Sequence, residues 1–153
     1  MNVQQKNKEK GFTIIEVVLV LAIAGLIFLM VFIALPALQR NQRDGQRKQD
    51  LTRAQTAVNN FQTNNRNRLP TFNQDFIDKY LKTGGDTFTD PNGNEYQFRV
   101  GASNPTTFNS EESQIFVTTQ AVCDGEVVKP GQGATKVALQ YKLEGGGVAC
   151  VSN

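Results

Sequence analysis

The sequence predicts an α+β fold in which one long N-terminal helix backs a small antiparallel β-sheet with its second half. Three observations lead there. Val17 to Leu35 is an uninterrupted uncharged run, long enough to cross a bilayer, for which about 20 apolar residues suffice as a helix. Beyond it Leu51, Ala54, Val58 and Phe61 recur at helical spacing within polar sequence, the mark of one buried helical stripe. From Leu69 onward helical periodicity gives way to short alternating segments set between glycine-, proline- and asparagine-rich turns, which reads as sheet.

The first element is a helix expected from Phe12 to about Asn64, apolar on all sides at first and amphipathic later. Such a helix offers its first half to lipid or to other helices and its second half to a domain. Gly25 and Gly45 are weak points within it, and Pro36 removes a backbone hydrogen bond and predicts a kink. Arg66-Asn67-Arg68-Leu69-Pro70 is the expected stop, since the residue before a proline is disfavoured in helical conformation. Phe76, Ile77, Tyr80 and Leu81 then predict a short helix over Asn73–Lys82, ended by Gly84-Gly85. Thr89 to Asn94 is a dense turn signal whose Asn92-Gly93 pair favours a tight hairpin-type turn. Strands are expected at Glu95–Val100, Gln114–Val122, Lys136–Leu143 and Gly147–Ser152, punctuated by Pro130–Gly133 and Gly145–Gly147. An antiparallel sheet laid on the Leu51–Phe61 stripe accounts for all of them.

Charge is segregated although the whole chain carries only +2. Arg40 to Arg68 stands at +5, while from Leu69 onward six Lys and Arg face ten Asp and Glu. A basic stem and an acidic head would attract one another between neighbouring molecules; two solvated faces would give the same pattern. Residues 69–153 are enough for a small core of limited stability.

The junction at the head of the apolar run carries the functional signal. Lys6-Asn7-Lys8-Glu9-Lys10 leads into Gly11-Phe12-Thr13-Ile14-Ile15-Glu16, and Glu16 stands immediately before the long uncharged run, the one charge after the Gly11-Phe12 junction until Arg40. A carboxylate on the apolar side of a membrane-helix boundary is costly and is rarely kept without a partner or a task. Basic leader, Gly-Phe-Thr-x-x-Glu and apolar run together resemble the class III signal of type IV prepilins and pseudopilins over residues 6 to 36. A secretory signal peptide has a shorter core and a cleavage site after it; here the run continues through Pro36 into Gln39-Arg40. A plain signal anchor stays open as the alternative.

The resemblance implies the type IV pilin fold and a set of roles. A leader, 1–11, would be removed by a membrane prepilin peptidase between Gly11 and Phe12, and Phe12 would be N-methylated. Residues 12–38 would form the transmembrane and assembly helix, 39–68 an amphipathic stem, and 69–153 a globular head. Phe12 and Glu16 would be the assembly residues. Gly25 and Pro36 would mark the segment where the helix can loosen; the usual proline position of the family holds Ile33, with Pro36 about one turn later. The Asp90-Pro91-x-Gly93-Asn94 turn before Tyr96 is a second, weaker likeness.

Lys and Arg flank both ends of the apolar run, so charge alone does not orient it. The resemblance does: a single-pass membrane precursor with its N-terminus cytoplasmic and its head outside, then an extracellular filament. In that oxidising setting Cys123 and Cys150 are expected to form a disulfide that closes a C-terminal loop. The implied partners are further copies of the chain in a helical filament, the peptidase, a membrane assembly platform, the bilayer before assembly, and a host-cell surface or DNA outside.

The composition argues against catalysis. The sequence has no histidine for acid–base work, no Gly-x-Ser-x-Gly elbow and no Walker lysine. Cys123 or Cys150 as a nucleophile would lack an imidazole base. No cofactor is called for, and two thiols without histidine make a poor transition-metal site. Asp86, Asp90 and Glu95, or Asp124 and Glu126, could meet calcium but match no dedicated loop spacing. Arg40 to Arg53 could meet phosphates in a salt-sensitive way, or face neighbouring acidic heads. Three readings therefore enter the structure: a pilus subunit for attachment, motility or DNA uptake, a type II secretion or competence pseudopilin, and an anchored binding module that does not polymerise.

Overall fold

The computed structural model describes residues 11–101 and 105–153; the basic leader residues Lys6, Lys8 and Lys10 lie outside them. The chain divides into two compact units, with the boundary between Leu38 and Gln39. One helix, α1 (Ile14–Asn64), supplies the described helical part of the first unit and the backbone of the second. It is continuous through Gly25, Pro36 and Gly45.

In the first unit the apolar side chains stand exposed: Leu21 is 65 %, Phe28 64 % and Phe32 74 % accessible. This segment is long and apolar enough to cross a membrane. No part of it builds a core of its own, as expected of a helix that is apolar all round.

The second unit has a core. Leu51, Ala54 and Val58 of α1 are buried with Phe88, Tyr96, Ile115, Val117 and Leu139 of the head, and Phe61 packs at the margin. The stripe read from helical spacing is therefore the buried face. α1 closes in a Schellman arrangement, with the Asn67 N–H donating to the Gln62 carbonyl at 2.8 Å. A short helix, α2 (Gln74–Tyr80), follows, capped by Asn73, whose Oδ1 accepts from the Phe76 N–H at 3.1 Å. Its Asp75 and Lys79 sit at the ends that suit the helix dipole. A single 3₁₀ turn, Thr83–Gly85, uses Gly84 at φ 72°.

Six strands complete the head: β1 (Gln97–Val100), β2 (Gln114–Thr119), β3 (Ala121–Asp124), β4 (Val127–Pro130), β5 (Val137–Lys142) and β6 (Val148–Ser152). Four of them form a sheet in the order β1-β2-β5-β6, and β3-β4 is a separate antiparallel ribbon. The disulfide Cys123–Cys150 joins ribbon to sheet, with its Cα atoms 5.8 Å apart.

The structure corrects the expected sheet in three ways. It is mixed, not antiparallel, because β1 pairs parallel with β2 in the register Gln97↔Gln114 to Val100↔Val117. A parallel neighbour needs a return connection of a dozen or more residues, and residues 101–113 are that connection. The single strand expected over Gln114–Val122 is two strands in two sheets, broken where Gln120 takes φ 55°. And β4 was not anticipated at all: Asp124 pairs with Val127 across the two-residue turn Gly125-Glu126, with Gly125 at φ 64°. In a ribbon of two strands β4 is an edge strand, which accommodates Pro130.

Candidate functional site

The N-terminal junction folds on its own terms. Thr13 immediately precedes α1, and its backbone N–H and hydroxyl both donate to Glu16 Oε2, at 2.8 and 2.7 Å. The Glu16 N–H reaches back to Thr13 Oγ1 at 3.4 Å. This reciprocal pair is a capping box, and it fixes the helix start at Ile14, two residues after the expected Phe12. Thr-x-x-Glu therefore has a local job: it satisfies helix-end donors that would otherwise lie bare at a membrane boundary. Glu16 Oε1 receives no bond from any described group, so half of the carboxylate stays open.

The described side chains that share its hollow are apolar. Phe12 is 89 % exposed, and Phe12, Glu16, Val17, Val20 and Leu21 border an open concavity of about 470 Å³. A carboxylate at the rim of an apolar hollow is suited to receive a cation carried on an apolar body, because low dielectric favours pairing over isolation. Gly11 is exposed, ahead of the helix. A Cβ added at Gly25 would meet nothing within 4 Å.

The expected roles of the stem arginines change more. Arg47 has a fully buried side chain. Its Nε and Nη2 donate to the two oxygens of Asp90 at 2.8 and 3.1 Å, and its Nη1 reaches Asp44 at 2.9 Å and Glu144 at 3.2 Å. Phe108 lies under the guanidinium, 4.8 Å from its carbon to the ring centre. Arg43 holds Glu144 in a two-pronged pair at 2.8 and 2.5 Å. The Asp44 carboxylate accepts the backbone N–H groups of Glu144 and Gly145 at 3.0 and 2.7 Å. Two tyrosines finish the hub: Tyr141 donates to Asp90 at 2.8 Å, and Tyr96 to Asp50 at 3.2 Å.

The electrostatics follow from this geometry. Burial works against the Arg47 charge, but bonds to Asp90 and Asp44 outweigh it, and its pKa is raised. Burial likewise pushes Asp90 up, and Arg47, the Asn92 N–H and Tyr141 more than reverse that, leaving it lowered. Glu144, bonded by Arg43, falls to about 2. Asp50 goes the other way, raised chiefly by burial despite the bonds from Tyr96 and Arg53. Burial also raises both hub tyrosines.

The hub accounts for much of the charge segregation: basic stem and acidic head pair within one molecule. Arg53 bonds Asp50 at 3.3 Å, so Arg43, Arg47 and Arg53 are engaged in the fold. The carboxylates weighed for calcium have partners too. Asp90 belongs to Arg47, Glu95 to Lys82 at 2.6 Å, and Asp124 to Lys129 at 2.6 Å. The sequence does carry a signal for this pairing. Asp44, Arg47, Asp50 and Arg53 alternate in sign at steps of three along one helix, a spacing that makes each the helical neighbour of the next.

A family model described as the prokaryotic N-terminal methylation motif matches residues 6–32. It spans the basic leader, the Gly11–Phe12 junction, the capping box and most of the apolar run. No curated protein and no solved structure matches the chain significantly. Residues 6–32 thus carry the class III signal found in type IV pilin-like proteins, pilins and pseudopilins alike. That signal, on an exposed apolar helix with Glu16 within it, fits a membrane-anchored precursor.

Proposed function

We propose that this chain is a structural subunit of a type IV pilus. A membrane peptidase hydrolyses the Gly11–Phe12 bond, which leaves Phe12 with a free ammonium that is then methylated. The mature chain polymerises through residues 12–38, and the head is displayed outside the cell for attachment, motility or DNA uptake. It acts as a structural part and performs no catalysis.

The observation that carries this reading is Glu16, alone in the apolar helix and half unsatisfied. In a filament the Glu16 carboxylate of one copy meets the Phe12 ammonium of the next. Desolvation offsets much of that attraction, but an unmatched partner is strongly disfavoured, so the pair sets axial register more than strength. Cohesion comes from burial of exposed Leu, Ile, Val and Phe surface, at about 25 cal/mol per Å². A pseudopilin of a secretion or competence system uses the same first unit, and the C-terminal disulfide favours the pilus subunit over the secretion type. An anchored module that never polymerises is the third reading.

The test is a pair of measurements on sheared surface material and membranes. A chain beginning with methylated Phe12 in sheared fibres is the expected result, and Glu16→Ala should abolish those fibres while cleavage persists. A chain that keeps its leader and stays in the membrane would overturn the proposal and leave the anchored module.

A further inference from the structure

One face of α1 is chemically odd for an exposed helix. Between Arg53 and Arg66 the sequence has no charged residue, and its outward positions are Thr56, Asn59, Asn60, Thr63 and Asn64, all exposed. Threonine and asparagine are mediocre helix formers, and glutamate, lysine or glutamine would stabilise an exposed turn better. A local rule broken with no gain in packing points to a task for the side chains themselves.

That face forms one wall of a groove whose other wall is α2 and the 3₁₀ turn. The cavity beside Gln49, Thr52 and Thr56 measures about 430 Å³. A second, of about 300 Å³, adjoins it at Asn60, Tyr80 and Thr83 and extends to Asn64. Together they are of the size that holds small organic ligands. The hydroxyls of Thr52, Thr56 and Thr63 spend their protons on helix carbonyls four residues back, at 3.0, 3.0 and 2.9 Å. Their lone pairs remain as acceptors. The amides of Gln49, Asn60 and Asn64 bond no other described residue, so each offers both donor and acceptor.

Tyr80 supplies the remaining part. It lines both cavities, and its ring is fixed by stacking on Phe76, centres 5.5 Å apart, and by an edge contact with Phe61 at 5.4 Å. Its hydroxyl has no described partner. The charges at the groove margins are matched: Arg53 lies 3.6 Å from Asp86, and Lys79 3.2 Å from Asp75. An ionic ligand finds no unmatched countercharge here. A ligand with many neutral hydroxyls and an apolar ring face finds acceptors, amides and an aromatic platform.

We propose that this groove binds a neutral oligosaccharide, its sugar ring against Tyr80 and its hydroxyls on the threonine and asparagine face of α1. The site lies wholly within the second unit, and the proposal does not rest on polymerisation through the first.

The full chain, in a detergent with a non-sugar headgroup, is titrated with cellobiose, lactose and chitotetraose, and with a glucuronate-containing disaccharide as acidic control. Binding is followed by calorimetry and by tyrosine fluorescence. Tyr96 and Tyr141 are buried, so Tyr80 is the tyrosine a ligand can reach. At least one neutral sugar should saturate and shift the fluorescence, and the acidic control should not. Thr56→Glu and Asn60→Glu place a better helix former and a charge in the groove. Each should weaken binding at least tenfold with the melting temperature unchanged or raised, and Tyr80→Ala should abolish it. No saturable binding by any neutral sugar would overturn the proposal, as would unchanged binding by both glutamate variants. So would loss of self-association in those variants without sugar binding, which would make the groove a contact between copies.

Discussion

The two halves of α1 obey opposite rules. From Gln39 to Asn64 nearly every charge on the helix finds its partner in the same molecule, down to a fully buried arginine with three carboxylates around it. From Ile14 to Leu38 one charge stands among exposed apolar side chains and is answered, among the described residues, only by the threonine three residues before it. The second half is a finished protein interior. The first is an unfinished one, and its missing partners must come from lipid or from other chains. The difference separates two kinds of mutation: those that unfold the head and those that leave it folded and spoil only what the chain joins.

The largest expected effect is at Arg47. Replacing it by methionine keeps much of the volume but strands Asp90 and Asp44 without their cation. Breaking one side of a buried ion pair costs about 3–5 kcal/mol, a large share of what so small a domain has. Denaturant unfolding of Arg47→Met should show that loss. Leu29→Ala, in the first half, should leave the same transition where it was, because Leu29 is 63 % exposed. Equal losses in the two variants would erase the distinction between the halves.

Next comes the bridge between ribbon and sheet. Cys123 and Cys150 are 27 residues apart, and closing a loop of that length stabilises a fold by about 3.5 kcal/mol on the chain-entropy model. The double variant Cys123→Ser, Cys150→Ser should lower the melting temperature of the head and speed exchange of the β3 and β4 amides first. The capping bonds at Thr13 should be untouched.

How much of this was legible depends on range. The helix, its buried stripe, α2 and most strand positions follow from local periodicity and turn residues, and the junction at Gly11 to Glu16 is a contiguous motif. The disulfide needed only two cysteines and a compartment. What could not be read was pairing at a distance. Gln97–Val100 and Gln114–Thr119 are both plain strands in sequence, and nothing within either segment marks them as parallel partners. Arg47 looks like its neighbours Arg43 and Lys48; only the fold puts Asp90 and Glu144 against it. The β3–β4 turn was different, because Gly125-Glu126 is a glycine-first pair of the kind that closes two-residue hairpins, set between Ala121-Val122-Cys123 and Val127-Val128.

Acid should separate carboxylates within the hub itself. Glu144 is held at about 2 when folded, below the roughly 4.3 of an unfolded glutamate. A depressed folded pKa gives stability that is full above the unfolded value and lost as pH falls toward the folded one. Asp90, also lowered, adds to that loss. Asp50 has the opposite sign: its raised value means that acidification relieves a charged form the fold disfavours. Melting curves between pH 6 and 2 should therefore fall, less steeply in Glu144→Gln and more steeply in Asp50→Asn. Parallel curves for all three proteins would mean the hub carboxylates do not differ in linkage.

The smallest effect lies where the finished half ends. Arg66 and Asn67 both take positive φ, 54° and 62°, in the turn that closes α1. Asparagine tolerates that conformation; arginine has no such excuse, and glycine is the usual residue at the first position past a helix end. Placing an L side chain there costs about 1 kcal/mol or more, and glycine's greater freedom in the unfolded chain returns part of the gain. Arg66→Gly should therefore stabilise the head by about 0.5 kcal/mol, seen as a rise of a few degrees in melting temperature. A fall would mean that the Arg66 side chain contributes to the fold through contacts that outweigh its backbone strain. A rise would leave the arginine held there against the interest of stability, which makes the end of the stem, like its beginning, a place shaped for something outside the molecule.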